Sequence, residues 1–521
     1  MSTSLHEYLQ WCKDHPEEKN CDTYIWNFKF HQNIKKIKEQ KIKENIKNDN
    51  KENNKEDNKE DILIEPCNKM DPEDKSKKSK IHLQLISSFI VNLALFSAGI
   101  SVGWPTIAVP KLENESSSNI HISQNDGILI INAIPVGAIV GSILSGLLLN
   151  VVGRKWFLYA TSAPFIICWL LTYFANSWIE ILIARLISGV SVGALYSMAP
   201  LYIGELVEPR IRGASNAMLS FMFNLGCMFV FGLQPILSKE ILSFINLIPI
   251  VIFLLTMPWL PESPYYYCKK NKIESAAITL VWLRRKEDNK EELKEINELI
   301  STENQDGFKK FGKAPYGKAL MLLLLLMAAQ QLSGFAAILF NSGELIKKFN
   351  VQFEQNYLLL IISAISLVAS LLSALTVDKI GRKSVFLIST YGTVLCLLVI
   401  GAYFFVEHIG IKVNSYSTIP LVAFAIYFIT FSYGLTSIPY IVSSEIFLTN
   451  MKNWATMFSN IFGFILFIIV YNVYRVLSDK YGYVIFLVFG AIEFLIGIIL
   501  NIALPETSSK SFNQIQNILK G

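Results

Sequence analysis

Two amides stand side by side at Gln330 and Gln331, inside LLLLLMAAQQLSGFAAILFN (322–341), a stretch otherwise greasy enough to cross a bilayer. A carboxamide offers two N–H donors and an acceptor oxygen without carrying charge, so its chemistry is hydrogen-bonded binding. Without a partner in hydrocarbon an amide costs roughly 4 to 8 kcal/mol on a cyclohexane scale, so both must meet protein groups, water or a ligand. Neighbouring helical residues point about 100° apart, so the two amides face different surroundings.

The charged groups with regular spacing form a second constellation. GRK occurs at 153–155 and again at 381–383, Glu205 precedes Arg212 as Glu445 precedes Lys452, and PES at 261–263 is matched by PET at 505–507. Three signals recurring in one order indicate a duplicated unit, and a unit with an even number of spans returns each copy to the same membrane side. Arg185 and Glu493 lie inside apolar runs, where an ionisable residue is a functional candidate by default. The cysteines at 12, 21, 67, 168, 227, 268 and 396 have neither disulfide nor zinc spacing, and the histidines are scattered. No nucleophile with a base, metal constellation or phosphate-cradling glycine loop is present, so the sequence predicts neither an enzyme nor a bound metal.

The elements that must carry these residues are membrane helices. With 521 residues, 52% hydrophobic, 17% charged and mean hydropathy +0.38, the chain is too apolar for a soluble protein of its size. The net charge of +5 is modest and its basic residues sit in short clusters between apolar runs, which gives nucleic-acid binding no support. Twelve runs near the roughly 20 residues of a spanning helix fall at 82–104, 127–150, 156–176, 179–203, 213–236, 241–260, 318–342, 356–377, 384–406, 417–441, 453–476 and 482–504. The expected organisation is a disordered cytoplasmic tail (1–80), a six-helix half (81–260), a cytoplasmic helical linker (261–317), a second half (318–505) and a cytoplasmic tail (506–521). Lys75, Lys77, Lys78 and Lys80 abut the first run, and the turns after even-numbered runs carry Arg154, Lys155, Arg210, Arg212, Lys379, Arg382, Lys383 and Lys452. The positive-inside rule then places both termini inside. The sequon Asn114-Glu115-Ser116 falls on the outer side, where glycosylation is expected. In the linker, Ala277, Leu280 and Val281 mark the apolar face of a short amphipathic helix.

The chain resembles the sugar porter family of the major facilitator superfamily, particularly its animal facilitative hexose and trehalose carriers. The resemblance rests on GWPTIAVPKL, GLLLNVVGRK, RLISGVSVGALYSMAPLYIGELVEPRIRGA, PESP, AAQQLSG, DKIGRK, IPYIVSSEIF and PETSSKS, spread from 103 to 511. It implies an all-α fold of twelve spans in two halves, at the plasma membrane, with no cofactor and a small sugar as partner in the bilayer. It implies that Gln330 and Gln331 hold sugar hydroxyls, with Asn460, Tyr440, Asn341 and Asn224 as further contacts. It implies that Arg154 and Arg382 pair with Glu205 and Glu445, with Arg212, Asp378 and Lys452 beside them, as a latch holding the halves together while the outer gate is open. Arg185 would sit near the outer mouth, with Glu180 as a candidate partner.

Departures from the family pattern are also legible. Asn150 stands where the second half has Asp378, and Lys452 where arginine is usual. Ala336, Phe221 and Ile461 replace polar or indole contacts, Tyr440 replaces a tryptophan, and Thr436 and Ser437 replace a Gly-Pro pair. The cavity is therefore expected to be less polar than a glucose site. A facilitative uniporter is the leading reading. The alternatives are a proton-coupled symporter, a non-transporting sugar sensor and a carrier of another solute. Ser101 stands in the first span where proton-driven relatives have an aspartate, which favours the uniporter.

Overall fold

The computed structural model describes residues 81–114, 120–286, 289–301, 316–349, 355–411, 416–447 and 449–508, with 510, 514–515 and 517–518. The expected tail 1–80 lies outside them, as do Glu115 and Ser116 of the sequon, while Asn114 is the last residue of the first helix.

Twelve helices among these residues are long and apolar enough to cross a membrane: His82–Glu113, Gln124–Val152, Arg154–Phe174, Trp178–Leu206, Pro209–Leu233, Lys239–Trp259, Tyr316–Phe340, Tyr357–Ile380, Arg382–His408, Thr418–Ile446, Met451–Ser478 and Tyr481–Ala503. They are called the first to twelfth spans below. Leu147, Leu255, Leu375 and Ile502 stay exposed on them, as side chains facing lipid must. With no hydrophobic force between helices in lipid, close backbone approach does the packing. A Cβ on Gly141 of the second span would fall 1.9 Å from the Val190 carbonyl, and one on Gly193 of the fourth 1.9 Å from that of Ala138.

Two spans that are continuous in hydropathy are interrupted in structure. The seventh breaks after Leu332, Gly334 takes φ 84°, and the helix restarts at Phe335. The tenth passes through a π-helical turn at Phe431–Leu435 before restarting at Ile438. Pro439 has no N–H, so the Leu435 carbonyl loses its ordinary helical donor. The linker forms helices Pro264–Lys269, Ile273–Arg284 and Lys290–Ser301. Its buried face is Ala276, Thr279, Leu280 and Leu283, rotated slightly from the expected one, with Ala277 and Val281 half-buried at its edge. Arg284, on the same face, donates to the Leu206 carbonyl at the end of the fourth span, at 2.8 Å.

Candidate functional site

The duplicated motifs build the same device twice. Gly153 and Gly381 take φ of 95° and 96°, and each opens a helix whose first N–H groups need acceptors. Glu262, from PES, accepts from the N–H groups of Arg154 at 3.0 Å and Lys155 at 3.1 Å. Glu506, from PET, accepts from those of Arg382 at 2.9 Å and Lys383 at 3.1 Å. A Cβ on either glycine would strike these carboxylates at 2.5 or 2.4 Å. Burial pushes the Glu262 carboxyl above its ordinary value, against the opposing pull of the Ser263, Lys155 and Arg154 N–H groups and of the Arg154 charge.

The next residue in each motif reaches the neighbouring acid. Arg154 forks onto Glu205 at 3.1 and 3.3 Å, and the Ser263 hydroxyl donates to the same carboxylate. Arg382 forks onto Glu445 at 3.3 and 2.8 Å, and the Thr507 hydroxyl donates at 2.6 Å. Each fork lies inside its own half, joining third to fourth span and ninth to tenth, so the forks do not themselves tie the halves together as the resemblance implied.

Other groups cross between the halves at this end. Asp378 holds Arg382 with one oxygen and accepts from the Ala214 N–H, at the start of the fifth span, with the other, both at 2.8 Å. Asn150 accepts from Asn453, at the start of the eleventh span, at 3.0 Å and from Lys269 at 2.8 Å. Asn216 donates to Ser444 at 3.1 Å. The uncharged Asn150 thus meets an amide and an ammonium where Asp378 meets a guanidinium and a backbone N–H. Arg212 and Lys452 line a small pocket there with Glu205 and Glu445, and neither has an ion pair within 4.0 Å among the described residues.

Midway along the bundle the halves enclose a second cavity of about 70 Å³, room for roughly five waters at about 10–15 Å³ each. Its lining includes Gln330, Gln331, Asn224 and Tyr440. It also includes side chains the sequence reading missed: Tyr196, Phe223, Phe335, Phe431, Phe464 and Phe467. Phe335 and Phe431 stack at 4.3 Å, and Tyr196 meets Tyr440 at 4.9 Å from the opposite half. The only sequence signal for these was aromatic content, which also fills ordinary cores.

The paired glutamines divide their work. Gln330 donates to the carbonyls of Leu435, at 3.0 Å, and Thr436, at 3.4 Å, supplying the donor that Pro439 removes. Its own oxygen accepts from Gln331 at 3.3 Å. Among the described residues Gln331 Oε1 then has no partner although it is buried, and neither does Asn224 Nδ2. The cavity lining thus carries an unpaired acceptor and an unpaired donor, a match for a hydroxyl, which both gives and takes.

Three candidates lie off this lining. Asn460 donates to Ser197 across the halves at 2.9 Å. Asn341 bonds its own helix and accepts from Arg475, itself paired with Glu344, at 3.1 Å. Arg185 is fully buried between the rings of Trp104, at 4.5 Å, and Trp169, at 4.7 Å, and donates to Thr172. Glu180 instead caps its own helix, accepting from the N–H groups of Asn176 and Ser177.

Twelve spans in duplicated halves around an amide and aromatic cavity define a multi-pass membrane carrier of the major facilitator fold. The chain belongs to the sugar (and other) transporter family, whose model matches residues 34–519. It is 29% identical over 453 residues to the facilitated trehalose transporter Tret1 of Bombyx mori, covering 85% of this chain and 88% of that one. Identity to the facilitated trehalose transporter Tret1 of Apis mellifera ligustica is 27% over 457 residues, 86% of this chain and 90% of that one. Its fold is similar to that of the proton:xylose symporter XylE bound to 6-bromo-6-deoxy-D-glucose, with TM-score 0.72 at 19% identity, covering 83% of this chain and 99% of that one.

Proposed function

We propose that this protein is a facilitative sugar transporter of the plasma membrane, carrying trehalose or a hexose down its gradient by alternating access and catalysing no covalent chemistry. The GRK turns and both termini face the cytoplasm, as the basic turns favour. The observation that carries the reading is the cavity between the halves, with Gln331 Oε1 and Asn224 Nδ2 open among stacked aromatic rings. Uncharged donors and acceptors exchange for a sugar's water, and ring faces take its C–H surfaces. The relatives named as facilitated trehalose transporters support the substrate class.

In this reading the Arg–Glu forks keep each half rigid, and the cross-half contacts of Asp378, Asn150 and Asn216 must break for the cytoplasmic end to open. Uptake of labelled trehalose, glucose and fructose by oocytes expressing the full chain tests it. Saturable uptake of at least one sugar is the expected result. Surface-expressed protein that moves none of them would overturn it.

A further inference from the structure

The small pocket at the GRK end holds cations that the rest of the network does not use. Lys452 is 9% exposed and lines it from the eleventh span, Arg212 from the fifth, and Lys510 from the C-terminal segment. Arg212 Nε is buried without a hydrogen-bond partner, and Lys452 has no ion pair within 4.0 Å among the described residues.

Two carboxylates share the pocket, but both are committed elsewhere. Glu205 gives both oxygens to Arg154 and one also to Ser263, while Glu445 gives both to Arg382 and one also to Thr507. Lys452, nearly buried, and Arg212, half-buried with its Nε enclosed, come from opposite halves and face one space with no ion pair of their own among the described residues, which is costly unless something negative joins them. The space measures about 60 Å³, a few waters' worth at about 10–15 Å³ each, and is small enough to favour a compact tetrahedral ion. A guanidinium fork and an ammonium point charge are the groups that bind such oxygens.

We propose that this pocket binds a phosphate-type oxyanion, bridging Arg212 of one half and Lys452 of the other and so holding the GRK end closed. The anion is inorganic phosphate or the phosphate of a lipid headgroup. Binding itself is independent of the transported solute, and only its effect on flux rests on the sugar-carrier reading.

The test uses the purified full chain in phosphatidylcholine nanodiscs, with inorganic phosphate titrated against chloride at constant ionic strength. Phosphate should raise the thermal unfolding midpoint saturably. Lys452→Gln should weaken its apparent affinity roughly tenfold or more, the worth of one charge-assisted hydrogen bond. Lys510→Gln, at the pocket's rim, should weaken it less and serves as the deciding variant if Lys452→Gln does not fold. In nanodiscs containing phosphatidylglycerol, loss of the phosphate response with the same midpoint gain would assign the site to a headgroup. Phosphate acting no differently from chloride in phosphatidylcholine, with phosphatidylglycerol giving no gain, would overturn the proposal. So would responses unchanged in the variants. No sugar enters these measurements, so they stand or fall apart from the transport assay.

Discussion

Asn132 of the second span and Asn472 of the eleventh exchange two hydrogen bonds, each 3.2 Å, across the two halves. Asn150 and Asn453 join the same two spans at the GRK end. The eighteen residues from Asn132 to Asn150 correspond to about 27 Å of helix, so one antiparallel helix pair carries an amide clasp at each end. The clasp between Asn132 and Asn472 is amide to amide, whereas Asn150 at the GRK end also accepts from the Lys269 ammonium.

Opening either end must break its clasp, so the two have opposite effects on which way the carrier faces. Replacing Asn132 and Asn472 together by leucine should favour opening at their end by about 1 to 2 kcal/mol, the worth of two modest membrane hydrogen bonds. Either single replacement orphans an amide and should cost more stability than the pair. Labelling of Val192→Cys in the cavity by an external reagent should speed up in the double variant and slow down in Asn150→Leu. The same direction of change in both would show that the clasps do not gate.

Gln330 and Gln331 should fail differently when truncated. Gln331→Ala removes the open acceptor and should weaken sugar affinity roughly fivefold to a hundredfold, about 1 to 3 kcal/mol, with surface expression intact. Gln330→Ala strands the Leu435 carbonyl beside Pro439 and should lower folded yield as well as transport. Transport kinetics of both variants, normalised to surface protein, separate these roles. Unchanged affinity in Gln331→Ala would remove it from the site.

Much of this was legible because it repeats. The twelve spans follow from apolar length and the duplication from motifs matched between the halves, while the forks of Arg154 with Glu205 and Arg382 with Glu445 were implied by the resemblance to sugar porters. The aromatic wall was not legible, since Tyr196 and Phe335 look like core in one dimension. Nor was the division between the glutamines, which depends on Pro439 freeing a carbonyl on another span. PES and PET read as markers of duplication, whereas Glu262 and Glu506 prove to cap helices more than a hundred residues earlier in the chain. Asn132 and Asn472 went unnoticed because single asparagines in long spans carry no spacing signal.

Glu262 gives the GRK turn a pH dependence whose sign follows from its raised carboxyl. A folded-state pKa above the unfolded value makes its contribution to stability full below the ordinary carboxylate value of about 4.3 and progressively lost as pH rises through the raised one. Unfolding midpoints of the full chain in detergent, compared with Glu262→Gln over pH 4 to 8, should show the wild type losing stability faster across that window. A variant with the same slope would place the pH dependence elsewhere.

Energy coupling turns on what faces Arg185. A proton-driven carrier needs a group that changes protonation along the transport path, yet this guanidinium lies between two indole rings and donates to a hydroxyl. Cation–π contact of this kind is worth about 2 kcal/mol or more when desolvated, and it holds the charge without a carboxylate partner among the described residues. The first span has Ser101 and no acidic residue before Glu113 at its far end. Sugar flux should therefore run down its gradient in both directions, show counterflow, and persist when a protonophore collapses the proton gradient. Glu493 is the residue that can reverse this outcome, being fully buried in the twelfth span beside the Thr390 hydroxyl, with no charged partner paired to it among the described residues. Uptake that concentrated sugar above the outside level and collapsed with the protonophore would make the protein a symporter. Glu493→Gln would then be the decisive variant, because abolishing accumulation while sparing exchange would assign the proton to that carboxyl.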